Sequence, residues 1–450
     1  MIARIAIGLF CAATLAVGVG DADQTSAPDF ESLGKTLTQQ LASRQFEQIT
    51  AHFDETMASA MPAAKLSSVW DGIIGQVGAF ESIEDARLQD VKGYKVVLVT
   101  SKFEKATLDA RWVFDSKGRV AGFFVVPSHP EAPWSAPDYA MPNRFRERPA
   151  VVGTSPWQLD GTLAVPEGTG PFAAAVLVHG SGPEDQDETI GPNKPFKDVA
   201  WGLASQSIVV LRYNKRTLQC AKDLKASAAG FTVNEETVED ARAAVDLLLK
   251  QPEVDPKRVF VLGHSLGGML APRIAQGNAH VAGLIVMAGA TRPLEKALVQ
   301  QLRYHASLHG KVSPVEEEQI AAAERTVKEI ESPTLTAGAT INFLGTAIPA
   351  SYFLDLRDYH PPEVAAQLKL PMLILQAERD YQVTMEDFDG WKKILAGDQR
   401  VTFKSYPGLF HLFMPSATAG TGLGSPADYE KAGHVSEAVI LDIGGWVSEH

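Results

Sequence analysis

The chain has 450 residues, 45% hydrophobic and 21% charged, and no apolar run reaches the roughly 20 residues of a membrane-spanning helix, which excludes fibrous, disordered and multi-span membrane classes. Its 41 Lys and Arg stand against 54 Asp and Glu, a formal charge of −13 with no local basic block, so nucleic acid is not an expected partner. At roughly 100 to 200 residues per domain, the length predicts two or three domains.

Residues 1–22 have the form of a cleavable secretory signal. Arg4 supplies the early positive charge, an apolar segment runs from Ile5 to about Gly20, and small residues lead into the polar Asp21-Ala22-Asp23-Gln24. An uncleaved anchor is the rival reading, for which the segment is short. A lipoprotein site at Cys11 fits worse because Leu9 and Phe10 precede it. The expected destination is the periplasm or the medium, with no stable membrane insertion after cleavage. Cleavage leaves Cys220 as the sole cysteine, so the mature chain has no internal disulfide and its stability comes from packing.

Residues 29–128 carry a complete pattern of their own. Leu33, Leu37, Leu41, Phe46, Ile49 and Phe53 recur at near-helical spacing, followed by Met57, Met61, Leu66, Val69 and Trp70. Strand-like runs follow over 94–99, 106–114 and 120–126, with Asp115-Ser116-Lys117-Gly118 as a hairpin turn between the last two. Helices followed by an antiparallel sheet predict a small α+β domain. Six prolines between Pro127 and Pro149 predict a semi-rigid linker over 129–148.

From 149 to 450 the pattern is α/β. Continuous apolar runs at 173–178, 208–211, 259–262, 282–287 and 372–375 suit strands buried on both faces of a mostly parallel sheet. Val238, Ala241, Val245, Leu248 and Leu249 line one face of a crossover helix, with Asn234 as its expected N-cap. The stretch from about 292 to 368 is charged and helical, without a convincing strand, and reads as an inserted helical cap.

The sharpest chemical signal is Val261-Leu262-Gly263-His264-Ser265-Leu266-Gly267-Gly268, Gly-x-Ser-x-Gly between an expected strand and an expected helix. Glycines two before and two after the serine remove Cβ atoms where a tight strand-turn-helix packs, leaving the Ser265 Oγ exposed at a helix N-terminus. A serine hydroxyl is a weak nucleophile until a base takes its proton, so a histidine and an orienting carboxylate are required later in the chain. Asp380, in the polar turn after the 372–375 strand, is the expected acid, with Glu378 as competitor nearer the strand. His411, in the loop after 401–406, is the expected base; His434, assigned to a final helix, is the only other histidine between Asp380 and His450.

An acyl-transfer site also needs oxyanion donors. The N–H of Leu266 is one, and the glycine-rich Val178-His179-Gly180-Ser181-Gly182-Pro183 turn supplies the other, from Ser181 with Gly180 as fallback. Arg212 and Lys215 follow the 208–211 strand and could pair a substrate carboxylate or carbonyl. Ion pairing with the acids of Glu184-Asp185-Gln186-Asp187-Glu188 is the favoured alternative for them and for Arg216. That acidic run lacks the regular spacing of a calcium loop, and no zinc spacing occurs.

With these residues in view, the chain resembles the α/β-hydrolase superfamily. More narrowly, it is similar to a bacterial family of exported serine esterases whose hydrolase domain follows a small nuclear-transport-factor-like, cone-shaped domain. Beyond the serine motif, the resemblance rests on Leu177-Val178-His179-Gly180-Ser181-Gly182-Pro183, Thr189-Ile190-Gly191-Pro192-Asn193-Lys194-Pro195-Phe196, Leu211-Arg212-Tyr213-Asn214-Lys215-Arg216 and Asp380-Tyr381-Gln382-Val383. It implies carboxylesterase activity on short-chain acyl esters, a small-molecule ester as partner, the triad Ser265, Asp380 and His411, and no cofactor; the spacing of the acids, cysteines and histidines by itself predicts no metal. Ala377, where relatives usually carry glycine, and Asn214, where they often carry aspartate, depart from the pattern. A serine peptidase or acyl-aminoacyl hydrolase of the same fold is the second reading, and a non-catalytic binding protein the third. The N-terminal domain could hold a small apolar ligand, mediate a homodimer, or wall the active site.

Overall fold

The computed structural model describes residues 29–91, 94–128, 134–221, 224, 230–308, 310, 312–343, 346–418, 420 and 422–450. The expected signal segment lies outside the described residues. The chain divides into two compact units, Met1–Pro130 and Glu131–His450.

In the first unit, helices α1 (Phe30–Ala42), α2 (Phe46–Thr50), α3 (Glu55–Ala60) and α4 (Ala63–Val77) precede an antiparallel sheet. Its order is β1 (Phe80–Val91), β2 (Tyr94–Phe103), β3 (Thr107–Phe114), β4 (Val120–Pro127). Asp29 starts α1 by accepting the Ser32 N–H at 3.1 Å. Gly34 lets α1 settle onto β2, since a Cβ there would stand 2.6 Å from Val97 Cγ1. The expected Asp115–Gly118 turn is present, its Asp115 side chain accepting the N–H groups of Lys117 and Arg119. Strand β1 was not expected. Irregularities between Phe80 and Ser82 and between Ile83 and Asp85 shift its phase, so its inward residues Phe80, Ile83 and Ala86 fall every third position rather than every second. Trp112 fills the core and donates its indole N–H to Thr38 Oγ1 at 2.9 Å. The void between Thr38, Trp70, Phe103 and Leu108 measures about 10 Å³, space for one water and not for an apolar ligand.

The second unit is an eight-stranded sheet in the order β14-β13-β10-β9-β7-β8-β6-β5. The strands are β5 (Phe145–Val152), β6 (Leu159–Pro166), β7 (Phe172–Val178), β8 (Val209–Tyr213), β9 (Val254–His264), β10 (Val281–Met287), β13 (Met372–Ala377) and β14 (Val401–Tyr406). From β8 to β14 neighbours run parallel, and β5 and β6 close one edge antiparallel. Alternate residues of the apolar runs face opposite sides, as strand geometry demands. Val176, Val209, Leu211 and Val261 pack with α7 (Glu239–Leu248), α8 (Leu266–Ala275) and α13 (Met385–Leu395). Ala175, Leu177, Val210 and Leu262 pack with α5 (Pro195–Ala204) and α14 (Glu437–Glu449). A four-residue helix, α6 (Arg216–Gln219), follows β8.

Four expectations need correction. Strand β5 begins inside the segment read as linker to 148; an edge strand tolerates Pro149, and with only Phe145 and Val152 buried it shows no hydrophobic alternation. The cap comprises α9 (Leu294–Ser307), α10 (Pro314–Glu331), α11 (Ala350–Leu356) and α12 (Pro361–Gln367). It also holds a hairpin, β11 (Thr340–Phe343) with β12 (Thr346–Pro349), whose four-residue strands are too short to leave a periodic signal. The crossover helix starts earlier than Asn234. Thr232 Oγ1 accepts the Asn234 N–H and Glu235 reaches back to the Thr232 N–H, opening a π-turn at Asn234–Val238. His434 lies before the final helix, held by the buried Asp198 at 3.1 Å.

Candidate active site

Strand β9 delivers Ser265 into a turn with φ 55° and ψ −115°, a strained conformation for a residue with a Cβ. The turn is held by the Ser265 N–H donating to the Met287 carbonyl of β10 at 2.9 Å. The flanking glycines are explained by distance. A Cβ on Gly263 would lie 2.2 Å from the Gly267 carbonyl oxygen, and one on Gly267 would lie 2.2 Å from that of Val178. Ser265 therefore sits half-buried at the N-terminus of α8, where the first-turn N–H groups, Leu266 included, have no intrahelical acceptor.

Asp380 and His411 meet as expected, with His411 Nδ1 2.6 Å from Asp380 Oδ2. A carboxylate only accepts, so Nδ1 carries the proton and Nε2 is left as the basic nitrogen. Asp380 is fixed by its own turn, Oδ1 accepting the N–H groups of Gln382 and Val383 at 2.7 and 3.0 Å. Glu378, the competitor, instead accepts from Ser405 Oγ at 2.8 Å. Among the hydrogen bonds of the described residues, none joins Ser265 to His411. His264, the residue before Ser265, meets His411: its Nε2–H donates to the His411 carbonyl at 3.0 Å and its ring lies 4.6 Å from that of His411. Catalytic contacts of this type commonly tighten only when substrate binds.

His264 was not singled out from the sequence. Its Nδ1 stands 3.0 Å from Oε2 of Glu188, which is likewise almost wholly buried; the alignment falls short of a hydrogen bond, so the attraction is chiefly coulombic. Burial opposes both charges, yet each partner outweighs it: the Glu188 carboxyl is held below its ordinary value and the His264 imidazolium above its own. Glu188 Oε1 also accepts the Gly180 N–H at 2.8 Å. That occupies the fallback oxyanion donor and leaves Ser181 as the candidate on this loop. The loop passes directly over Ser265, since a Cβ on Gly180 would lie 3.3 Å from Ser265 Cβ and 3.7 Å from its Oγ. His179 points away, buried against Phe196 and Tyr213, with burial lowering its pKa to about 4.

Neither Arg212 nor Lys215 is free to take substrate, and both expectations are corrected. Arg212 is 3% exposed, its Nε donating to Asp187 at 2.8 Å and its Nη1 to Glu147 at 2.6 Å. Lys215 turns to Glu236 at 2.6 Å and to the Gly180 carbonyl at 2.7 Å, and Arg216 to Asp240. Asp187 is the member of the acidic run that pairs here, with Arg212; Lys215 and Arg216 take Glu236 and Asp240 in place of the expected run, and Asp185 caps its own turn through the N–H groups of Asp187 and Thr189. An acid at 188 was visible in the sequence as one of a run, but nothing in that run distinguished Glu188 from its neighbours. Glu236, the partner of Lys215, carried no signal.

Residues 194–415 match a family model described as serine aminopeptidase, S33, and residues 35–123 match a protein family of unknown function, DUF3887. Among solved structures, the hyperthermophilic esterase of the archaeon Pyrobaculum calidifontis is similar at 16% identity and a TM-score of 0.44, over 68% of this chain and 85% of that one. Est1E from Butyrivibrio proteoclasticus is similar at 14% and 0.42, over 67% and 98%. Esterase EstD of Thermotoga maritima is 37% identical over 418 residues, covering 93% of this chain and 95% of the relative. With that identity spanning both units, the chain belongs to the α/β-hydrolase esterase family that includes EstD.

Proposed function

We propose that the chain is a serine carboxylesterase that hydrolyses short-chain acyl esters through an acyl-enzyme. The observation that carries the reading is the buried 2.6 Å contact of His411 with Asp380, beside a serine held in a strained turn at a helix N-terminus. His411 Nε2 takes the Ser265 proton as Oγ attacks the ester carbonyl, and the oxyanion is met by the N–H groups of Leu266 and Ser181. Asp380 holds the imidazole and offsets its positive charge. His411 then gives the proton to the leaving alcohol, and a water activated by the same nitrogen releases the acid and restores Ser265. The cap from 292 to 368 sets the size of acyl and alcohol. The apolar segment after Arg4 supports export of the chain.

A second reading, hydrolysis of aminoacyl amides, is favoured by the serine aminopeptidase description of the matching model. Turnover of p-nitrophenyl acetate, butyrate and octanoate against aminoacyl p-nitroanilides, with Ser265→Ala as control, separates the two. Ester turnover, a fluorophosphonate adduct mapped to Ser265 and the loss of both in the variant are the expected result. Labelling of Ser265 with turnover of anilides alone would overturn the esterase reading, and undiminished turnover by Ser265→Ala would overturn the triad.

A further inference from the structure

Lys215 is a lysine with 2% of its surface exposed. Taking an ammonium out of water costs several kcal/mol unless it is paired, so packing alone gives no reason for a lysine here. Its Nζ makes two specific bonds, one to Glu236 Oε1 at 2.6 Å and the other to the main-chain carbonyl of Gly180 at 2.7 Å. The peptide from Gly180 to Ser181 is trans, the described cis bonds being Ser155-Pro156 and Gly170-Pro171. In a trans peptide the C=O and the following N–H share one plane and point in opposite directions. Holding the Gly180 carbonyl therefore fixes the direction of the Ser181 N–H. A positive charge on the carbonyl oxygen also polarises the amide and strengthens that N–H as a donor.

The other side of Gly180 is fixed as well, its N–H donating to the buried Glu188. The second oxygen of Glu236 accepts from the hydroxyl of Tyr352 at 2.6 Å, and Tyr352 stands on α11 of the cap. Burial, with Glu236 beside it, keeps that hydroxyl protonated, so it acts as the donor. A second bond ties the same helix to the segment before Glu236, Ser351 Oγ donating to the Phe231 carbonyl at 2.9 Å. We propose that Lys215 is a positioning residue that sets the Gly180–Ser181 peptide as one arm of the oxyanion hole, and that Tyr352, through Glu236, makes that setting depend on the cap. The proposal rests on Ser265 being the nucleophile.

The test uses the full chain with p-nitrophenyl butyrate and two inhibitors. One is an alkyl trifluoromethyl ketone, which adds to the serine and carries an oxyanion; the other is the matching methyl ketone, which binds as a ground-state mimic. Lys215→Met combined with Glu236→Leu removes the pair without stranding a buried charge. Expected is a kcat lower by about 100-fold, in the range for loss of an oxyanion donor, with KM within about threefold. Affinity for the trifluoromethyl ketone falls in step with kcat and that for the methyl ketone stays. Tyr352→Phe, which removes one hydroxyl, shows the same split at about 3- to 10-fold. A folded double variant with kcat within about threefold of wild type, or with equal loss on both ketones, overturns the proposal. Should the double variant fail to fold, Tyr352→Phe decides by the same comparison. Turnover surviving in Ser265→Ala refutes the nucleophile assignment itself, a result that no change at Lys215 can mimic.

Discussion

Replacing Gly267 by alanine tests how closely the Ser265 turn is set against the loop of Gly180 and Ser181. The added methyl would stand 2.2 Å from the Val178 carbonyl oxygen and 2.7 Å from that of His179, against an ordinary contact of 3.4–4 Å. Both neighbours are main chain and buried, so neither can swing aside as a side chain would; strand β7 and the start of α8 must part by about 1 Å. Helix propensity favours alanine by about 1 kcal/mol at an interior position, whereas overpacking of a closed site costs about 1–3 kcal/mol, so the net effect is destabilising. For a unit spanning Glu131–His450 the net of about 0–2 kcal/mol is a fall of about 3 °C or less in Tm. The functional effect is larger, because the displaced segment runs straight into Gly180 and Ser181, and a misplacement of about 1 Å can cost about 100-fold in kcat. Thermal unfolding and p-nitrophenyl butyrate kinetics read both. Gly445→Ala is the control, in the interior of α14 with nothing within 4 Å of the added Cβ, and it should leave kcat unchanged and Tm equal or higher. Wild-type kcat and Tm in Gly267→Ala would refute the steric account of the Gly-x-Ser-x-Gly spacing.

Arg212→Met should act on stability and not on substrate binding. It strands Asp187 and Glu147, and because Glu147 is partly solvated and Asp187 keeps Lys194 at 3.3 Å, the cost is about 2–3 kcal/mol, below that of a fully buried pair. Denaturant unfolding should record that loss with KM unchanged, and a large rise in KM would return Arg212 to the substrate site. Stability should also depend on pH through three buried groups. Burial pushes the carboxyls of Asp187 and Glu188 up, but Arg212 and His264 respectively hold them below their ordinary 3.8 and 4.5, so their contribution is present above those values and fades as pH falls through the folded ones. His264 is raised above 6.5 by Glu188 despite burial, so its contribution is complete below 6.5 and fades as pH rises through the folded value. In Tm measured from pH 3 to 9 these three groups therefore contribute a decline on the acid side and one on the alkaline side, added to the opposed slopes of His179, lowered to about 4, and Glu184, raised to about 7, in between. Glu188→Gln should remove the alkaline decline; an unchanged decline would show that the Glu188–His264 pair is not its source.

By itself the amino-acid sequence determined whatever depends on order along the chain. Val259 to Leu262, Leu284 to Met287 and Met372 to Leu375 are buried on both faces, so their apolar runs are uninterrupted and legible. Gly263, Ser265 and Gly267 were legible because a turn this tight admits only one local pattern. Asp380 and His411 followed, because parallel strands end at one edge of the sheet and the chain reaches that edge in a fixed sequence. Elements with interrupted patterns escaped: β1 through its phase shifts, β5 through an exposed edge, and β11 with β12 through shortness. What only the tertiary structure decided was the pairing of buried charges. Lys215 meets Gly180 across 35 positions, and Tyr352 meets Glu236 across 116. The sequence shows a basic cluster and an acidic run, each with several candidates of equal chemistry. Which carboxylate reaches which cation depends on distances of about 1 Å after the strands have packed, because a buried charge is tolerated only where a partner lies within direct contact. The ends of β7, β8 and β9 bring Gly180, Lys215 and His264 to one place, and Glu188 and Glu236 come there from separate segments. Packing, and not order along the chain, selected Glu236 for the cation and left Glu188 for the imidazolium.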